Sequence, residues 1–171
     1  MATPRTIRFN NPFALIQTAP DKWQGLVPGS TGFLQFDSVE NGARAGMITL
    51  INTYLRRGRD TIGKIIPVYA PEPEAQKIEN YIAFLENKTG MHRDDQIKNV
   101  DQFLKLAKNI TWFEAGKDWV SEKTIANAYN KAVDATGFSV WEKAKVATFR
   151  FGILALIGLA SYGLYRYLDK K

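Results

Sequence analysis

A mainly α-helical domain followed by one membrane-spanning helix is the fold class this sequence predicts, and three stretches predict it. From Ala43, apolar residues recur at Met47, Leu50, Ile51 and Tyr54, a spacing that lays one stripe along a helix. The same period returns at Ile97, Val100, Phe103, Leu104, Ala107, Ile110 and Phe113. Between Arg150 and Arg166 the run FGILALIGLASYGLY carries no charge, and its flanks at Val146 to Phe149 and Tyr167-Leu168 bring it to the length a bilayer requires. The expected division is a globular domain at 1-135, a linker at 136-145 and a transmembrane helix at 146-168.

Composition narrows the chemistry. The 171 residues are 45% hydrophobic and 12% aromatic, enough for a sizeable core. There is no cysteine and a single histidine, His92, which leaves little room for thiolate chemistry, a Ser-His-Asp triad or a multi-histidine metal site. No metal or cofactor is expected. The net charge of +6 suits nucleic acid, anionic lipid or an anionic cell wall, and charge alone does not choose among them. Nucleic acid is disfavoured as a partner, because no alternation of aromatic and basic residues offers a stacking track. Met1 to Arg8 is polar with no apolar run behind it, so no cleavable signal is expected.

Met1 to Thr6 reads as a loose end and Asn10-Asn11-Pro12 as a turn. Lys22 to Gly32 is a Gly/Pro-rich loop carrying Trp23, an aromatic that either stacks on a ligand or plugs the core. Phe33, Leu34 and Phe36 form a short extended apolar run broken by Gln35. Ser38 is the expected N-cap of the first long helix, with Glu40 in its first turn and Gly58 closing it beyond Arg56 and Arg57. Thr61 to Tyr69 is a short helix stopped by Pro67 or Pro71, and Glu74 to Lys88 an amphipathic one through Ile78, Tyr81, Ile82 and Leu85. Gly90 to Asp95 is a polar linker in which His92 is solvated. Ile97 to Phe113 is the second strong helix, and Ser121 to Val133 the next, ending at a break at Gly137.

Glu114 stands out at the end of the Ile97–Phe113 pattern. It falls four residues after Ile110 and seven after Ala107, which puts its carboxylate on the buried side. The helix C-terminus disfavours negative charge, and Trp112 and Phe113 add desolvation, so its pKa is expected to rise as a general acid requires. The plainer reading is a residue that ends a helix near Lys117. Glu40 likewise reads either as a functional carboxylate or as simple dipole compensation.

Two resemblances give these residues a context. The opening Arg5-Thr6-Ile7-Arg8-Phe9-Asn10-Asn11-Pro12, then Trp23-Gln24-Gly25-Leu26, the Phe36 to Ala45 pattern, Thr61 to Pro71 and Tyr81 to Gly90 resemble a family of phage and prophage virion structural proteins over residues 5 to 130. That family is similar in plan to lysozyme-like peptidoglycan hydrolases, glucosaminidases and lytic transglycosylases, in which an Asn-Asn-Leu-Phe-Gly element resembles Asn10 to Ala14. Gly32-Phe33-Leu34-Gln35-Phe36 resembles the Gly-Leu-Met-Gln element that lines the glycan cleft of lytic transglycosylases. The resemblance implies a lysozyme-like domain, Glu114 as proton donor with Glu40 assisting, and Trp23, Gly32, Phe33 and Gln35 along a glycan. One departure stands against it. Those glucosaminidases carry their catalytic glutamate before the Asn-Asn element, where this chain has nine residues and none acidic. The active site would therefore be permuted, with Glu114 facing Gly32 to Phe36.

Two functions follow as expectations. One is a virion-associated, membrane-anchored, lytic transglycosylase-like protein of a lipid-containing bacteriophage that opens peptidoglycan during cell-wall penetration. Its partners would be glycan strands, the lipid membrane and capsid proteins. The other is a non-enzymatic structural protein linking the phage membrane to the capsid. Both place the chain in the virion membrane, held by a single C-terminal pass.

Overall fold

The computed structural model describes residues 2–16, 23–30, 32–71 and 73–138. Among them the architecture is mainly helical, with six α-helices and no strand. A short α1 (Arg5–Arg8) leads into loops, followed by α2 (Val39–Thr49), α3 (Ile62–Tyr69), α4 (Ala75–Thr89), α5 (Val100–Ala115) and α6 (Glu122–Thr136). The expected transmembrane helix at 146-168 and most of the 136-145 linker lie outside the described residues. No helix among the described residues is long and apolar enough to cross a membrane.

The caps follow the expected chemistry. The side chains of Ser38, Thr61, Asn99 and Ser121 each accept a hydrogen bond from a backbone N–H in the first turn of α2, α3, α5 and α6. At the other end, Gly90, Gly116 and Gly137 close α4, α5 and α6 in the left-handed conformation. The stripes converge on one core: Ala43, Met47, Leu50, Ile51 and Tyr54 meet Ile62, Ile65 and Ile66, Tyr81, Ile82 and Leu85, and the inner faces of α5 and α6. Helices α2 and α6 pack along each other, and α4 packs between α3 and α5.

As expected, α3 runs to Tyr69; of the two prolines offered as its stop, Pro67 lies inside the helix and Pro71 beyond it. Three expectations need correction. Residues 5 and 6 are not a loose end: they belong to α1, and Thr6 is buried. The apolar run at 33–36 forms isolated bridges, Ile16 with Phe33 and Leu26 with Phe36, because its neighbours are irregular loops that pair one residue at a time. Phe113, placed on the inner stripe of α5, is 36% exposed; the helix starts at Val100, and by its last turn the inward face has rotated onto Ala115. Packing of the domain also reaches Phe138, which is buried beyond the end of α6.

A loop layer from α1 to Phe36 covers one side of the bundle. Asn11, fully buried, holds it together: its side-chain amide donates to the carbonyls of Leu15 (2.9 Å) and Leu34 (2.8 Å), and its side-chain oxygen accepts from Leu15 N–H (2.9 Å). Asn10 donates to the Phe36 carbonyl at 3.1 Å, and adopts a positive φ of 49° that asparagine tolerates. The layer touches α2 where the helix has no side chains. A Cβ at Gly42 would lie 1.9 Å from the Asn10 carbonyl oxygen, and one at Gly46 would lie 2.0 Å from the Phe13 ring.

Candidate functional site

Glu114 sits in the last turn of α5, half-buried, and the side chains around it come from three other segments. The first is the end of the long α2 helix. Past Thr49 its hydrogen bonding loosens into a π-helical stretch, Leu50–Tyr54, then tightens into a 3-10 turn, Leu55–Arg57, before Gly58 ends it with a φ of 71°. That change of winding sets Tyr54 against Tyr69, with ring centroids 6.0 Å apart. Stretches of π-helix inside α-helices occur often at functional sites.

Tyr69 comes from the end of α3. Its hydroxyl donates to the Phe13 carbonyl of the loop layer. Tyr81, from α4, is buried; its hydroxyl donates to Glu114 Oε1 at 2.9 Å. The Tyr81 ring stacks on Phe113, centroids 3.7 Å apart and 14° between planes. Phe113 in turn tilts against Phe84 at 5.3 Å, Phe84 meets Trp112 edge-on at 6.0 Å, and Lys88 Nζ lies 3.9 Å above the Trp112 ring. The result is an aromatic shelf on α4 and α5 with a carboxyl at its edge.

Burial sets the electrostatics. Desolvation pushes the Glu114 carboxyl above its ordinary value, and the hydrogen bond from Tyr81 offsets part of that rise. Desolvation also raises the Tyr81 and Tyr69 hydroxyls well above the usual phenol range, and the nearby Glu114 charge adds to it. Tyr54 rises for the same first reason, with Arg59 pulling the other way. All three phenols therefore stay protonated, and those of Tyr69 and Tyr81 act as hydrogen-bond donors. Glu114 is a carboxyl that keeps its proton to higher pH than a solvated one, the property required of a general acid.

The other candidate residues lie elsewhere. Glu40 is exposed in the first turn of α2. Beside it, Asp37 is held below the ordinary carboxylate value, first by the Asn41 side-chain amide at 2.7 Å and then by Ser38. Trp23 is half-buried and packs against the core. Gly32 is exposed with a φ of 66°, and nothing would meet a Cβ there. Phe33 is half-buried, edge-on to Phe9 at 6.0 Å, with the Arg5 guanidinium 5.4 Å from its ring centre. Gln35 is tied by its carbonyl, which accepts from Val27 N–H at 2.9 Å. Phe33, Gln35 and Trp23 thus belong to the loop layer, and Glu114 to the helical one. The bond from Tyr69 to Phe13 joins the two. Among the described residues no three histidine, aspartate or glutamate side chains gather as metal ligands.

Sequence reasoning did not single out Tyr69, and it read Tyr54 and Tyr81 as plain core. Tyr81 does lie on the inner stripe of α4, so only its hydroxyl, and not its position, distinguishes it from Ile82 and Leu85.

The chain matches no protein-family model. It is similar to Protein P5 of Pseudoalteromonas phage PM2, 32% identical over 99 residues, which cover 56% of this chain and 61% of that protein. The chain thus spans less than two thirds of the length of the curated relative it matches. That likeness supports a phage protein.

Proposed function

We propose that this chain is a non-enzymatic structural protein of a phage particle, a helical domain at 1-135 carried on a membrane span at 146-168 and linking the lipid membrane to the capsid. The observation that carries the reading is the bonding of the polar groups around Glu114. Tyr81 donates to Glu114, tying α4 to α5, and Tyr69 donates to Phe13, tying the bundle to the loop layer. Such a carboxyl joins helices in a half-buried site where an unpaired polar group is costly. The similarity to Protein P5 of phage PM2 supports a place in a phage. The hydropathy of 146-168 supports the membrane, and the basic charge of the chain suits anionic lipid.

The test is fractionation of purified particles with a mild detergent. The chain should leave with the lipid fraction, and purified protein should leave cell-wall sacculi intact. Release of the chain by salt alone, without detergent, would count against the anchored reading.

A second reading has one specific observation in its favour. The raised pKa of Glu114 fits a proton donor, and the lysozyme-like resemblance would make its substrate peptidoglycan, with Glu40, Trp23, Gly32, Phe33 and Gln35 in supporting roles. Solubilisation of sacculi by wild type and not by Glu114→Gln would favour it.

A further inference from the structure

Arg56 and Arg57 are exposed, in the 3-10 turn that follows the π-helical stretch. The Arg56 guanidinium donates to the carbonyl of Thr136, the last residue of α6. Arg56 therefore sits at the end of α6, the last helix among the described residues, with Arg57 beside it in sequence. Phe138, two residues on, is buried, and the apolar stretch begins at Val146. Seven residues separate Phe138 from Val146, and at full extension the span from one to the other reaches about 28 Å. The intervening sequence, SVWEKAK, contains Trp141, Lys143 and Lys145 against Glu142, a composition suited to a membrane interface. Asp60, three residues after Arg57, is bound by Lys64 and Gln96, and Asp134, two residues before Thr136, has an interaction of its own.

We infer that Arg56 and Arg57 form a contact surface for anionic lipid headgroups, seating the domain on the membrane that its 146-168 segment enters. The inference rests on the anchored reading given above. It adds the face of the domain that meets the lipid and the charge of the lipid it prefers.

The absence of cysteine makes a direct test possible. Asn52, exposed and four residues before Arg56, is replaced by cysteine and given a fluorophore in the full chain. The chain is then reconstituted into phosphatidylcholine vesicles with or without phosphatidylglycerol, both carrying a headgroup-attached quencher. A label at exposed Gln76 on α4 is the control. Quenching at position 52 should exceed that at 76 in phosphatidylglycerol vesicles. Arg56→Gln/Arg57→Gln should lower it by about fivefold or more, since each basic side chain at an anionic surface contributes on that scale. High salt should lower it similarly. Arg57→Gln alone leaves the Arg56–Thr136 bond in place and should move quenching in the same direction. Equal quenching in the two vesicle types, or quenching that neither variant changes, overturns the inference while leaving the anchor standing. A full chain that does not float with vesicles overturns both.

Discussion

The loop layer and the helical bundle of this protein are held by different forces. In the bundle, Phe103, Leu106, Ile110, Ile125 and Tyr129 are almost wholly buried, and apolar contact along α5 and α6 dominates. The loop layer buries Phe13, Leu15, Leu34 and Phe36 in the same core, but its irregular backbone is ordered by individual hydrogen bonds: Asn11 to two backbone segments, Asn10 to Phe36, Leu34 N–H to the Leu15 carbonyl, and Phe36 N–H to the Phe9 carbonyl. The difference teaches that one apolar core can be shared by helices that follow a repeating pattern and by a loop layer that a few polar side chains hold in place. The layers meet, among other places, at the side-chain-free strip of α2 at Gly42 and Gly46 and at the Tyr69–Phe13 bond beside Glu114.

The comparison can be broken from either side. Phe103→Ala, in the bundle, should be the most damaging change, lowering stability by about 3–5 kcal/mol in denaturant titrations followed by circular dichroism. Helix and loop signals should then be lost together. Asn11→Ala removes three hydrogen bonds at a buried position and should cost about 3 kcal/mol, at roughly 1 kcal/mol for each. Here amide exchange should quicken first in residues 9–16 and 33–36, with α5 and α6 still protected. Equal loss of protection in both layers would mean that they are one cooperative unit. Gly42→Ala should cost about 1–3 kcal/mol by overpacking, since the added methyl meets backbone and not a side chain that can turn away.

A smaller effect sharpens the account of the joint itself. The Glu114 carboxyl has its folded pKa raised above the ordinary 4.5, mainly by desolvation. The folded state therefore binds more protons than the unfolded one as pH rises past that value, and stability falls with rising pH. The favourable contribution is complete below the unfolded pKa and lost as pH passes through the folded one. Glu114→Gln keeps an acceptor for Tyr81 and cannot ionise. Thermal melts across this window should decline less with pH in the variant than in wild type. Parallel curves would mean that the carboxyl is not desolvated as described.

Much of the bundle was legible in the sequence because its signals are local. Ser38, Gly58 and Gly137 act at a helix end through hydrogen bonds or a backbone angle within a few residues. The stripe from Ala43 to Tyr54 needs only the helical period. Glu114 was legible as a desolvated carboxyl by the same spacing, although its stripe neighbour Phe113 faces outward. The π-helical winding at Leu50–Tyr54 was not legible, since nothing in that stretch breaks an α-helical pattern. Nor was Tyr69: its partner is a carbonyl 56 residues away, and its role comes only from the packing of α3 on the loop layer. The loop layer was read as a strand and a loose end because its long-range bonds from Asn10 and Asn11 leave no periodic trace.

The central claim is that Glu114 is part of the joint between α4 and α5, beside the seam of the two layers, and not a proton donor to a substrate. Release of soluble fragments from purified cell-wall sacculi, compared for wild type and Glu114→Gln across the acidic to neutral range, tests it most directly. The account predicts that neither protein releases fragments, at any pH in the range. Release by wild type that disappears in a fully folded Glu114→Gln variant would contradict it.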